Sequence, residues 1–245
     1  MNANGERVEI PTSDGAMGAH VSRPQAVGPF PAVMVLMEAF GLNAHIRSVA
    51  DRIAREGYVA VAPDLYHRSP DGVAEYSDLP RALTLMSQLD DRKIVADLAA
   101  TMRWLEAQPD VRADRVGVTG FCMGGRAAFL AACHLPVRAA APFYGGGIGR
   151  VSVPSERTPH APIEDAAKIE AEMILFYGDR DAFIPMEEVE LVRDRLGKLG
   201  KRAQVVVYPG ADHGFFCNER PSYHEAAAQD SWRKLLRLLE TQLKS

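Results

Sequence analysis

The sequence is poor in cysteine and tryptophan and has no cluster of positive charge. Three cysteines in 245 residues, Cys122, Cys133 and Cys217, are sparse and odd in number, which excludes a disulfide framework. Cys122 and Cys133 fall on one predicted helix about 16 Å apart, at 1.5 Å per residue, too far to bridge. The formal net charge is -4, and no run of Lys or Arg forms a basic tract. Nucleic acid and anionic membrane are therefore not expected as partners. Long apolar runs are missing as well. The longest, Pro29 to Met37, is well short of the roughly 20 residues that cross a bilayer. The opening Met1-Asn2-Ala3-Asn4-Gly5-Glu6-Arg7 lacks the charged start and apolar stretch of a secretory signal, so a cytoplasmic location is expected. The histidines are scattered, with no H-E-x-x-H and no paired-cysteine spacing, so no metal site is expected. Gly145-Gly146-Gly147 opens no G-x-G-x-x-G helix, so the dinucleotide fingerprint is absent too.

What remains is an ordinary globular composition. A chain of 245 residues suits one domain spanning residues 1–245. Val8 to Val21 predicts a hairpin turning at Ser13-Asp14-Gly15. Ala32 to Met37 reads as a strand buried on both faces. His45 to Glu56 repeats Ile46, Val49, Ala50 and Ile53 at helical spacing, with Gly57 as the stop. Further strands are predicted at Tyr58–Ala62, Arg115–Thr119, Arg138–Tyr144, Met173–Tyr177 and Ala203–Tyr208. Further helices are predicted at Asp91–Ala107, Arg126–His134, Met186–Leu199 and Ser222–Leu243. Residues Ile148 to Ala171 read as a surface excursion. Unalternated strands separated by amphipathic helices predict an α/β fold: a mostly parallel sheet with helices on both faces.

The sharpest chemical signal is Gly120-Phe121-Cys122-Met123-Gly124-Gly125, lying between a strand and a helix. This is the strand–nucleophile–helix context of a G-x-S-x-G elbow with cysteine in the serine position. The glycines remove Cβ atoms that would clash in the tight turn. The helix N-terminus behind Cys122 favours thiolate. The alternative is a buried structural cysteine beside a glycine-rich turn. A nucleophile needs a base, and the base an orienting group. Two loops past predicted strands offer them: Gly178-Asp179-Arg180-Asp181 and Pro209-Gly210-Ala211-Asp212-His213-Gly214. The order Cys122, Asp181, His213 is that of the α/β-hydrolases. Asp179 and Asp212 are alternatives to Asp181 and fit loop hydrogen bonding. Glu38 ends the first buried strand. It stands near the thiol or caps the next helix. Ala39 and Met123 are placed to offer the two N–H groups of an oxyanion hole.

These residues resemble the dienelactone hydrolase (carboxymethylenebutenolidase) family over nearly the whole chain. The similarity rests on Glu38-Ala39-Phe40-Gly41, Ala62-Pro63-Asp64-Leu65-Tyr66, the elbow hexapeptide, Tyr144-Gly145, Gly178-Asp179-Arg180-Asp181 with Phe183-Ile184-Pro185, and His213-Gly214-Phe215. The resemblance implies an α/β-hydrolase fold, no cofactor, a Cys122–His213–Asp181 triad, and a Glu38 that holds the resting thiol. It also implies that catalysis passes through an acyl-enzyme and that the partner is a small ester or lactone. Family members that open dienelactone grip its carboxylate with two arginines. One follows the catalytic histidine by four residues, where this chain has Cys217; the nearest arginine is Arg220. The other corresponds to Arg81 only across a small gap, and Arg81 also fits as a solvated helix residue. The expected pocket is formed by Phe40, Arg81, Tyr144, Phe215, Phe216 and Arg220. Two rival readings stay open: a general carboxylesterase or thioesterase, and a non-catalytic binding module. A monomer or small homo-oligomer is compatible with all three.

Overall fold

The computed structural model describes residues 2–69, 71–151 and 154–245. Eight strands form one sheet: β1 (Ala3–Thr12), β2 (Gly15–Pro24), β3 (Phe30–Leu36), β4 (Val59–Pro63), β5 (Val111–Phe121), β6 (Ala139–Phe143), β7 (Glu172–Gly178) and β8 (Ala203–Tyr208). Six helices accompany them: α1 (Ala44–Arg55), α2 (Leu79–Ser87), α3 (Asp91–Glu106), α4 (Met123–His134), α5 (Met186–Lys198) and α6 (Glu225–Leu239). The order across the sheet is β1-β2-β4-β3-β5-β6-β7-β8. The β1–β2 hairpin and the β2–β4 pair are antiparallel, and the other pairs are parallel.

The apolar strands explain this architecture. β3, β4 and β6 are buried almost throughout, because their Val, Ala and Met side chains meet helices on both faces. α1 buries Ile46, Val49, Ala50 and Ile53, the stripe read from the sequence. Its N-cap is Asn43, whose side chain accepts from the Ile46 N–H at 3.1 Å; Glu38 therefore does not cap it. β3 lies between β4 and β5, which follow it in the chain on opposite sides. Strand order thus reverses at β3 and opens a crevice at its C-terminal end, where ligand sites of open α/β sheets form. β8 lies at the sheet edge and pairs only with β7.

Three expectations need correction. The hairpin is longer than Val8–Val21, its register running from Ala3↔Pro24 to Thr12↔Gly15. Helix α2 was not expected at all. It buries only Ala82 and Leu85 and leaves Leu79 and Leu83 exposed, so its apolar residues do not trace one core face. The segment Ile148 to Ala171 is not wholly superficial. It contains a 3-10 helix, Pro162–Lys168, and buries Ile148, Ala161, Ile163, Ala166, Ile169 and Ala171 against the core. Its Ser152 and Val153 lie outside the described residues.

Candidate active site

Cys122 sits between β5 and α4 with φ +56° and ψ −118°, a conformation that a residue with a Cβ atom rarely adopts. Its amide is fixed by a bond to the Phe143 carbonyl at 3.0 Å, and its carbonyl accepts from the Gly125 N–H at 2.9 Å. The sharp turn depends on close backbone approach. A Cβ on Gly124 would lie 2.4 Å from both the Leu36 and Met37 carbonyl oxygens. The elbow is thereby pressed against the end of β3, and Ala39 and Met123 belong to these two adjoining segments. Among the described residues, neither Ala39 nor Met123 gives its backbone N–H to a protein acceptor. The Tyr66 hydroxyl donates to the Ala39 carbonyl at 3.0 Å and braces the loop from the rear.

Asp181 follows β7 and His213 follows β8. His213 Nδ1 and Asp181 Oδ2 are 2.7 Å apart. The other oxygen of Asp181 accepts the Phe183 and Ile184 N–H groups at 2.8 and 3.1 Å, which fixes the carboxylate plane. Both residues are buried, with exposures of 7% for Asp181 and 8% for His213. Burial works against imidazolium. The Cys122 sulfur, acting by charge and by hydrogen bonding, outweighs it together with Asp181, and His213 is held up at about 10. The two alternative acids have local work. Asp179 accepts from the Gly210 N–H at 2.6 Å, and Asp212 from the His213 N–H at 2.6 Å.

Glu38 is fully buried, with 0% exposure. Its carboxylate accepts from the Tyr76 hydroxyl at 3.3 Å, the Tyr144 hydroxyl at 3.4 Å and Arg220 Nη1 at 3.4 Å. Burial pushes the Glu38 carboxyl up, opposed by the charges of Arg220 and His213 and by the two tyrosines. Among the described residues it makes no hydrogen bond to Cys122. Arg220 runs past Phe40 and Tyr76, with its guanidinium carbon 5.4 and 5.9 Å from their ring centroids. It reaches Glu38 because Gly214 has no side chain: a Cβ there would lie 2.1 Å from Arg220 Nη1, and the backbone has φ +80°. Cys217 donates to the Tyr76 hydroxyl at 3.2 Å, and burial with Glu38 nearby pushes its thiol up to about 11.

Of the expected pocket residues, Phe40, Tyr144 and Arg220 gather around Glu38. Tyr144 lies 5.2 Å from the His213 ring and 5.1 Å from Phe215, which is itself fully buried. Phe216 is directed elsewhere, against Phe121, Phe143 and Trp232. Arg81 is exposed and gives its guanidinium to the Asp71 and Val73 carbonyls, at 2.6 and 3.3 Å. Three participants were not read from the sequence: Tyr66, Tyr76, and Phe183, which is 63% exposed with its ring 5.1 Å from His213. Tyr66 and Phe183 lie inside motifs that carried the family resemblance; nothing local marks Tyr76.

Away from this site, Asp14, His67 and Asp97 bring three possible metal-ligating atoms together. Arg68 spans them already, bonding Asp97 at 2.7 and 2.8 Å and Asp14 at 2.6 and 2.8 Å. Among the described residues, no helix is long and apolar enough to cross a membrane.

The model of the Dienelactone hydrolase family matches residues 17–243. A Synechocystis protein provisionally named carboxymethylenebutenolidase is 40% identical over 240 residues, covering 97% of this chain and 96% of that protein. A Bradyrhizobium protein provisionally named 2-oxo-3-(5-oxofuran-2-ylidene)propanoate lactonase is 33% identical over 229 residues, 94% of this chain and 91% of its own. A crystal structure from Klebsiella pneumoniae, provisionally described as a dienelactone hydrolase, superposes with a TM-score of 0.91 at 38% identity, covering 98% of this chain and 99% of that one.

Proposed function

Because the chain belongs to the dienelactone hydrolase family, we propose that it hydrolyses a small ester or lactone through a covalent thioester on Cys122. The observation that carries this reading is the 2.7 Å Asp181–His213 pair beside a cysteine held on a strained elbow. Cys122 Sγ, its proton on His213, attacks the substrate carbonyl carbon. The carbonyl oxygen becomes an oxyanion and takes the unused N–H groups of Ala39 and Met123, an arrangement that lowers such barriers by several kcal/mol. Collapse breaks the C–O bond. His213 Nε2 returns the proton to the leaving oxygen, which remains tethered to the acyl group when the substrate is a lactone. His213 next takes a proton from water, hydroxide attacks the thioester carbon, and the sulfur leaves with the product acid released.

Arg220 supplies the carboxylate anchor of an anionic substrate. It is the cation nearest the expected place of the family arginine, and its charge is shared with Glu38. A substrate carboxylate on Arg220 competes with Glu38 for the guanidinium. Glu38 is then free to turn toward Cys122; in the resting arrangement it bonds Tyr76, Tyr144 and Arg220 and does not hold the thiol as the family resemblance implies. The test is a panel of activated esters and lactones, charged and neutral, with Cys122→Ala beside the wild type. Loss of about 10⁴–10⁶ in rate with an unchanged fold is expected. A folded Cys122→Ala retaining more than roughly a tenth of the rate refutes the nucleophile. Turnover of no ester or lactone by the wild type favours the non-catalytic rival.

A further inference from the structure

A second cleft, of about 380 Å³, opens between α1 and α6, and its lining includes His45, Arg52, Phe216, Tyr223 and Trp232. This is within the size range of small-molecule sites. None of the triad residues lines it. Among the described residues, two of its polar groups lack hydrogen-bond partners. Arg52 is half-buried, with its guanidinium carbon 4.0 Å from the Trp232 ring centroid and 5.5 Å from that of Phe216. Among the described residues it makes no hydrogen bond and no ion pair, and it rests on the Trp232 ring instead. His45 is only 4% exposed, and its Nε2 is buried without a hydrogen-bond partner. Burying a polar atom without a partner is costly.

We propose that this cleft binds a small planar carboxylate. Arg52 holds its oxygens, and Phe216, Trp232 and Tyr223 form the wall against its flat body. The donor set selects this chemistry. A guanidinium presents paired N–H groups that match a carboxylate, and the aromatic wall rewards an unsaturated or aromatic body over a bare inorganic anion. Burial, aided by the charges of Arg52 and Arg220, pushes His45 down to about 4, so the ring brings no second positive charge to the cleft near neutrality. The site stands apart from the proposed hydrolysis and does not depend on it.

Trp232 provides a local reporter, since the chain has only one other tryptophan, Trp104. The experiment titrates the Trp104→Phe protein with benzoate and with benzamide, its neutral isostere, following Trp232 fluorescence, and repeats both titrations by calorimetry on the wild type. Saturable binding of benzoate with a Kd on the order of millimolar is expected, with benzamide much weaker. Arg52→Gln should weaken benzoate by roughly 10- to 150-fold, and Arg52→Lys, which keeps the charge without the planar fork, by less. Equal binding of benzoate and benzamide overturns the proposal, as does benzoate binding unaffected by Arg52→Gln. Loss of binding in Arg220→Gln but not in Arg52→Gln puts benzoate in the active site and overturns it too. Should the Arg52 variants fail to fold, the contrast of benzoate with benzamide is measured in Arg220→Gln: a preference for benzoate kept there supports the cleft, and its loss overturns the proposal.

Discussion

Exchanging Asp181 for asparagine replaces one carboxylate oxygen by NH₂ and tests the proposed proton path. One carboxylate oxygen accepts two backbone N–H groups, from Phe183 and Ile184, and the other faces His213 Nδ1 at 2.7 Å. An asparagine in the same rotamer must keep its carbonyl oxygen toward the two N–H donors. Its NH₂ then faces Nδ1. The ring can answer only by making Nδ1 an acceptor, which puts its proton on Nε2, the atom that must receive the proton of Cys122. The imidazolium is also lost as a stable state, because Nδ1–H would meet N–H. A histidine trapped in the wrong tautomer costs a serine triad about 10⁴ in kcat, or roughly 5 kcal/mol of barrier. The expected result is a loss of that order in hydrolysis of an activated ester, with KM little changed and the fold intact. A second readout comes from stability. His213 stands at about 10, above its ordinary 6.5. The stabilisation tied to its proton is complete below about pH 6.5 and is lost as pH rises through about 10. Asp181→Asn lowers the folded value, so melting temperatures should decline less steeply over that window than in the wild type. A kcat within about tenfold of the wild type, with an unaltered melting profile, refutes the assignment of Asp181 and moves it to Asp179 or Asp212.

Three further expectations follow from contacts around the site. Arg220→Gln leaves buried Glu38 without its cation and should destabilise the protein by about 3 kcal/mol, while adding Glu38→Gln to it should restore part of that in denaturant melts; KM for anionic esters alone should rise by roughly 10- to 150-fold in Arg220→Gln. Gly124→Ala drives a Cβ into two backbone carbonyls at 2.4 Å, so its melting temperature should fall by roughly 2–12 °C, corresponding to about 1–3 kcal/mol of overpacking. Tyr66→Phe removes the brace on the Ala39 carbonyl and should lower kcat by about 2- to 13-fold, the worth of one hydrogen bond, with KM nearly constant in steady-state assays.

The proposed triad could be singled out from the sequence because each member lies just past a strand whose apolar run is unmistakable, and because the elbow glycines have no other local purpose. Glu38 was legible as an oddity, a carboxylate at the end of a buried strand. Its partners were not. Tyr76 and Tyr144 approach it from residues 38 and 106 positions along the chain, and no local pattern encodes such a meeting. Helix α2 was obscured by its exposed leucines, although Asp78 followed by Pro80 was a start signal available to read, and Asp78 does accept the Arg81 N–H at 3.1 Å. Phe215 and Phe216 are adjacent and chemically alike, yet one backs the tyrosine beside His213 and the other faces α6. Their orientation follows from the turn at Gly214, whose backbone torsion is invisible in composition.

The placement of β8 at the sheet edge bears on how the enzyme would lose activity. Edge strands exchange their amide hydrogens and open locally at lower free energy than interior ones. Cys122, the proposed nucleophile, follows β5, which is clasped between β3 and β6, whereas His213 follows a strand bonded on one side only. If Cys122 and His213 act as proposed, gentle heating should fray His213 away from Cys122 before β5 moves. Inactivation should then precede unfolding and reverse on cooling, and thermal inactivation would report the hold of one border strand rather than the stability of the whole molecule.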